Sequence, residues 1–121
     1  MAKKILVIDD EPHIVMVLVS RLKANNYEVI TADNGEAGIE KAKMEKPDLI
    51  LLDIMMPDLD GHDVLKRLKQ DKETKAIPVM MLTAKKEKED IVKDIIVGGA
   101  IDYIVKPFVP GELLGRIKKV C

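Results

Sequence analysis

Short apolar runs alternate with longer mixed stretches along the whole chain. Ile5-Leu6-Val7-Ile8, Leu49-Ile50-Leu51-Leu52, Val79-Met80-Met81-Leu82 and Tyr103-Ile104-Val105 show no apolar–polar alternation. A strand with one wet face alternates with a period of two, so unbroken runs fit strands covered on both faces, as in a parallel sheet. The stretches between the runs are amphipathic and long enough for helices. The pattern predicts strands near residues 4–8, 28–32, 48–53, 78–83 and 102–105. Helices are expected near 12–25, 35–45, 61–71, 86–97 and 110–120. Strands that alternate with helices in this way form βαβ units, so the expected class is α/β with a parallel sheet.

The punctuation agrees with these boundaries. Pro12 suits a first helical turn, with Asp10 and Glu11 just before it. Asn25-Asn26 is expected to end the first helix; Asn34 can cap the second, and Pro47 stops it. Pro57-Asp58 and Asp60-Gly61 make a turn-rich loop after the third strand, and Gly98-Gly99 closes the fourth helix. Gly111 and Gly115 weaken the last helix, while Leu113, Leu114, Ile117 and Val120 keep one apolar stripe.

Composition narrows the function classes without choosing among them. A chain of 121 residues fits one domain, spanning 1–121. The net charge of −1, from 20 basic and 21 acidic residues, gives no bulk attraction for polyanions, so no nucleic-acid binding is expected of this domain. The single cysteine, Cys121, rules out a disulfide framework or a cysteine metal cluster. No apolar stretch approaches the roughly 18 residues of a membrane span, and no signal-peptide pattern opens the chain; no membrane association and a cytoplasmic location are expected.

The chemistry lies at the ends of the apolar runs. They lead in turn into Asp9-Asp10, Asp53, Thr83 and Lys106-Pro107. In a parallel sheet all C-terminal strand ends lie on one edge, where ligands of open α/β sheets bind. Asp9 and Asp10, with Glu11 next, would repel one another in a cleft, and a hard divalent cation removes that repulsion. Mg²⁺ prefers such oxygen ligands. Taken alone, the pair also reads as a solvated acidic helix start. Asp53 can be structural, or it can present a carboxylate that attacks phosphorus and forms an acyl phosphate. Thr83 alone says little, since threonine is common in strands. Lys106 can be one surface lysine among many, or an ammonium that bridges a carboxylate at rest and a phosphoryl oxygen after transfer. A cis bond to Pro107 would aim it inward.

Taken together these segments resemble the receiver domains of two-component response regulators, such as the chemotaxis response regulator. The matching pieces are Ile-Leu-Val-Ile-Asp9-Asp10-Glu-Pro, Leu-Leu-Asp53-Ile-Met-Met-Pro57 with Asp60-Gly61, Leu-Thr83-Ala84, and Tyr103-Ile-Val-Lys106-Pro107-Phe108. The resemblance covers the whole chain. It implies a flavodoxin-like doubly wound (βα)5 fold with a five-stranded parallel sheet in order 2-1-3-4-5. It implies that Asp53 takes a phosphoryl group from the phosphohistidine of a sensor histidine kinase. Asp10, Asp53 and the carbonyl of Met55 would ligate Mg²⁺, with Asp9 acting mostly through water. Thr83 would bond a phosphoryl oxygen, Lys106 would pair with the acyl phosphate, and Tyr103 would swing inward as Thr83 is drawn to the phosphate. The chain would then be a switch rather than an enzyme, catalysing only its own phosphoryl transfer and slow dephosphorylation. It would signal to a second copy or a downstream effector through the face of the fourth helix (86–97), the fifth strand and the fifth helix. The resemblance also implies a cis Lys106-Pro107 bond. It places the side chains of Met55 and Lys85 beside the path of the water that hydrolyses the acyl phosphate.

Two features depart from the family pattern. The segment from Thr83 to Lys106 is one residue longer than usual, and position 101 is Ile where an acid is frequent. Rival readings fare worse. A haloacid-dehalogenase-type phosphatase needs a second acid two residues after its nucleophile, where this chain has Met55. A flavodoxin-like cofactor binder needs a phosphate loop after strand 1, where Asp9-Asp10-Glu11 would repel phosphate. His13 and His62 read as ordinary surface groups near helix starts, Met55, Met56, Met80 and Met81 as packing residues, and the charged run 85–90 as a solvated helix face.

Overall fold

The computed structural model describes residues 2–54, 56, 58–84 and 96–121. The chain runs β1 (Lys4–Ile8), α1 (Pro12–Ala24), β2 (Glu28–Ala32), α2 (Gly35–Glu45), β3 (Leu49–Asp53), α3 (Gly61–Gln70), β4 (Val79–Ala84), β5 (Asp102–Lys106) and α4 (Pro110–Lys118). All strand pairs are parallel, and the sheet order is β2-β1-β3-β4-β5. This is the doubly wound, flavodoxin-like order that the resemblance implied, with four helices among the described residues. Boundaries fall within two residues of expectation. The predicted helix 86–97 lies largely outside the described residues. Ile96 and Val97 are helical, and Gly98-Gly99 turns away with Gly99 at φ 107°.

The unbroken apolar strands divide their side chains between two cores. Leu6, Ile8, Ile50, Leu52, Val79 and Met81 face one way, packed with Ile39 and Ala42 of α2 and Val64, Leu65 and Leu68 of α3. Ile5, Val7, Leu49, Leu51, Met80, Leu82 and Ile104 face the other way, packed with Leu18 and Leu22 of α1 and Leu113 and Ile117 of α4. Each large side chain buried in this way stabilises the fold by about 1.5–3 kcal/mol relative to exposure. Met80 and Met81 are fully buried and Met56 packs against the first core, the packing role expected of them. The stripe of the last helix holds only in part. Leu113 and Ile117 are buried, but the helix stops at Lys118 and Val120 lies exposed beyond it.

The helix ends follow the capping logic. Asn34 Oδ1 accepts from the Ala37 amide at 2.9 Å, as expected of a cap for α2. Lys46, just ahead of Pro47, closes that helix in the left-handed region at φ 46°. Asn26 takes φ 68° after α1. One cap carried no sequence signal. Asp58, in the loop after β3, accepts from the amides of Gly35 at 3.0 Å and Glu36 at 3.2 Å, and so closes α2 from across the chain. These backbone bonds, that of Gly35 first, hold the Asp58 carboxyl below its ordinary value. The same loop returns tightly over Asp53. A Cβ on Gly61 would lie 2.5 Å from both the Asp53 carbonyl oxygen and the Ile54 Cα, so only glycine fits there.

Candidate functional site

Strand register brings the singled-out residues to one edge. Ile8 pairs with Leu52, which sets Asp9 and Asp53 side by side just beyond. The Asp9 amide continues the ladder by donating to the Ala32 carbonyl at 3.1 Å, and the Ile54 amide donates to Leu82 at 3.2 Å. On the other side Asp53 pairs with Leu82, Thr83 with Val105 and Ala84 with Lys106.

Asp9, Asp10 and Asp53 each offer a carboxylate oxygen, and these atoms all lie within 4.8 Å of one another. Among the described residues this is the one cluster of three such side chains suited to a metal ion. Asp9 is fully buried, Asp53 is 5 % exposed and Asp10 is half-buried. Lys106 reaches into the cluster. Its Nζ donates to Asp9 Oδ2 at 3.0 Å and to Glu11 Oε1 at 3.0 Å, and lies 3.3 Å from Asp53 Oδ1. Burial favours a neutral amine, but the hydrogen bonds to Asp9 and Glu11 and the charge of Asp53 outweigh it, so Lys106 is held above the ordinary lysine value. Its bond to Pro107 is cis, as the resemblance implied.

Thr83 is 1 % exposed, and its Oγ1 has no hydrogen-bond partner among the described residues. A buried hydroxyl left without a partner costs about 1–3 kcal/mol. Tyr103 pairs in register with Met81, on the same face of the sheet as Thr83. It is half-buried and packs against the core under α2 and α3. Arg116 donates to the Tyr103 carbonyl and to Asp102 Oδ1, each at 2.8 Å.

The structure thus brings together Asp9, Asp10, Asp53, Thr83 and Lys106. Met55, Pro57 and Lys85 lie outside the described residues. Glu11 enters the site as a third carboxylate on Lys106, a contact that its place beside Asp10 did not reveal. His13 is exposed, and His62 is half-buried at the start of α3; neither belongs to the acidic cluster. The three carboxylates form a hard oxygen donor set, which fits Mg²⁺.

A doubly wound α/β sheet with an acidic cleft at its carboxyl edge sets the class of protein. The chain belongs to the response regulator receiver domain family, whose pattern it matches over residues 5–118. It is 50 % identical over 120 residues to the alkaline phosphatase synthesis transcriptional regulatory protein PhoP of Bacillus subtilis, covering 99 % of this chain and 49 % of that protein. The chain spans about half the length of the curated relatives it matches. A putative response regulator from Chloroflexus aurantiacus superposes with TM-score 0.93 at 32 % identity, covering 99 % of this chain and 98 % of that one. The receiver domain of the sensor histidine kinase PA1611 from Pseudomonas aeruginosa, solved with a magnesium ion coordinated in the active site cleft, gives TM-score 0.89 at 26 % identity, with coverage of 99 % and 98 %. No helix among the described residues is long and apolar enough to cross a membrane.

Proposed function

We propose that residues 1–121 form a single phosphorylation-activated receiver domain. It accepts a phosphoryl group from a sensor histidine kinase onto Asp53 and thereby switches partner binding or oligomerisation. The observation that carries this reading is the convergence at one sheet edge of Asp53, the Lys106 ammonium and a Thr83 hydroxyl without a partner among the described residues. An Asp53 oxygen attacks the phosphorus of the donor's phosphohistidine; the P–N bond breaks and the imidazole leaves with its electron pair. Lys106 then pairs with the acyl phosphate, and Thr83 donates its O–H to a phosphoryl oxygen. Asp10 and Asp53, with the Met55 carbonyl, would hold Mg²⁺, and Asp9 would act through water. When bound, the ion supplies the charge neutralisation that a transferring phosphoryl group needs. Both Asp9 oxygens already accept from the chain, one from Lys106 and one from the Glu11 amide at 3.0 Å, which suits an indirect role.

Drawing Thr83 toward the phosphate would open space on the face it shares with Tyr103, and Tyr103 would move in to fill it. A cavity of about 330 Å³ beside Tyr103, lined also by Val105, Pro107, Glu112 and Arg116, lies on the side where that movement would be read. The partner, an effector or a second copy, would bind across segment 86–97, β5 and α4. The domain would turn over no external substrate beyond its own phosphoryl transfer and slow dephosphorylation. Incubation with acetyl phosphate and Mg²⁺ should add one phosphate to the intact mass, and Asp53→Asn should abolish it. Normal labelling of Asp53→Asn would sink the assignment.

A further inference from the structure

The three carboxylates around Lys106 are not equally held. Asp9 is fully buried and both its oxygens are engaged. Asp53 is nearly as enclosed. Glu11 bonds the same nitrogen at 3.0 Å, yet its side chain is 45 % exposed. Glu11 also sits at the N-cap position of α1 without making a side-chain capping bond. Glutamate is not among the side chains favoured for capping from that position. Here it reaches across to the ammonium instead.

An ammonium has three N–H bonds; Lys106 donates to Asp9 and Glu11, and its Nζ lies 3.3 Å from Asp53 Oδ1. A phosphoryl group on Asp53 takes over that contact but places its oxygens farther out than Asp53 Oδ1, so an ammonium that follows them is drawn off Asp9 or Glu11. Releasing Asp9 would strand a buried charge, which is costly. Releasing Glu11 returns a half-exposed carboxylate to water. Building on the reading of Asp53 as phosphoacceptor, we infer that Glu11 is a positioning residue: a displaceable partner that holds Lys106 at rest and competes with the phosphoryl group for it. Glu11 thereby slows phosphorylation, and it swings out to solvent when Asp53 is modified.

Two substitutions separate reach from charge. Glu11→Asp keeps the charge but falls a methylene short of Lys106. Glu11→Gln keeps the length but loses the charge. With acetyl phosphate, and Mg²⁺ shown by titration to be saturating for each protein, both variants should phosphorylate roughly two- to fivefold faster than wild type, the scale of one partly exposed ion pair. In the unphosphorylated protein, the ¹⁵N signal of the Lys106 ammonium should show faster hydrogen exchange in Glu11→Asp. If Glu11 acts only as local negative charge, Glu11→Asp will match wild type in rate and exchange, and the inference fails. It fails equally if all three proteins react at one rate. A wild type that takes no phosphate on Asp53 would overturn the proposed function itself, and this inference with it.

Discussion

The Lys106 ammonium lies 3.0 Å from Asp9 Oδ2, and that aspartate has no exposed surface. The pair joins residues 97 positions apart and closes the site between β1 and β5. Removing the cation would leave Asp9 buried against Asp53 and Asp10 with no opposing charge, the costliest way to break an ion pair.

Lys106→Met should therefore destabilise the fold by about 2–4 kcal/mol in the absence of divalent ions. Mg²⁺ should recover much of the loss, because a cation bound only by the folded state stabilises it by mass action. Chemical denaturation with and without Mg²⁺ is the measurement. The pH dependence carries the same signature. The folded-state pKa of Lys106 is raised, so its contribution is fully present below the unfolded lysine pKa and is lost as pH rises through the higher folded value. Wild type should lose stability across that alkaline window, and Lys106→Met should lose less there.

Thr83→Val tests the unpartnered hydroxyl. The two side chains are nearly equal in size, but valine brings no buried polar atom. Stability should hold or rise by up to about 2 kcal/mol. Phosphorylation of Asp53 should persist, while the response of Tyr103 to it should vanish. Fluorescence or NMR of Tyr103, with and without a phosphate mimic, reads the difference. A Thr83→Val protein that unfolds more easily would mean that Thr83 has a partner in the resting state.

Much of this arrangement was legible in the residues. Runs such as Leu49-Ile50-Leu51-Leu52 fit strands wetted on neither face, and a parallel sheet then carries Asp9, Asp53, Thr83 and Lys106 to one edge. Asn34 and Pro47 marked α2 because capping and chain stopping are local events. Contacts set by three-dimensional proximity were not legible. Glu11 on Lys106, Asp58 on the amides of Gly35 and Glu36, and Arg116 on the Tyr103 carbonyl each join separate elements through flexible side chains. No spacing rule encodes which of many charged residues makes such a contact. Val120 failed as a core residue for another reason: the helix ends before its apolar stripe does.

The glycines of α4 give a test of stability alone. A Cβ at Gly111 or Gly115 would meet nothing within 4 Å, so alanine costs no strain at either. Each glycine weakens the helix through the entropy it must lose, and each Gly→Ala change should stabilise by about 0.5–1 kcal/mol. Gly38→Ala should do the opposite. Its Cβ would lie 2.5 Å from Ile8 Cδ1 in the core, and overpacking there should cost about 1–3 kcal/mol. Thermal unfolding of the three variants separates the two cases, and a destabilised Gly115→Ala would show that the face of α4 is covered.

The lifetime of the phosphorylated state should turn on side-chain chemistry at two positions outside the described residues. Hydrolysis of the acyl phosphate needs a water in line with the phosphorus on Asp53. By resemblance to the family, the side chains two residues after Asp53 and two after Thr83 border that path; here they are Met55 and Lys85. A thioether is a weak acceptor and no donor, so Met55 cannot fix a water by a strong hydrogen bond. Lys85 donates but cannot accept, so it cannot orient an attacking water by taking its proton. The phosphoprotein should therefore outlive that of fast chemotaxis-type receivers. Met55→Asn combined with Lys85→Glu should shorten its lifetime, as followed by loss of the phosphate mass after the donor is removed. A double variant that decays no faster than wild type would show that orientation of water at these two positions does not set the rate.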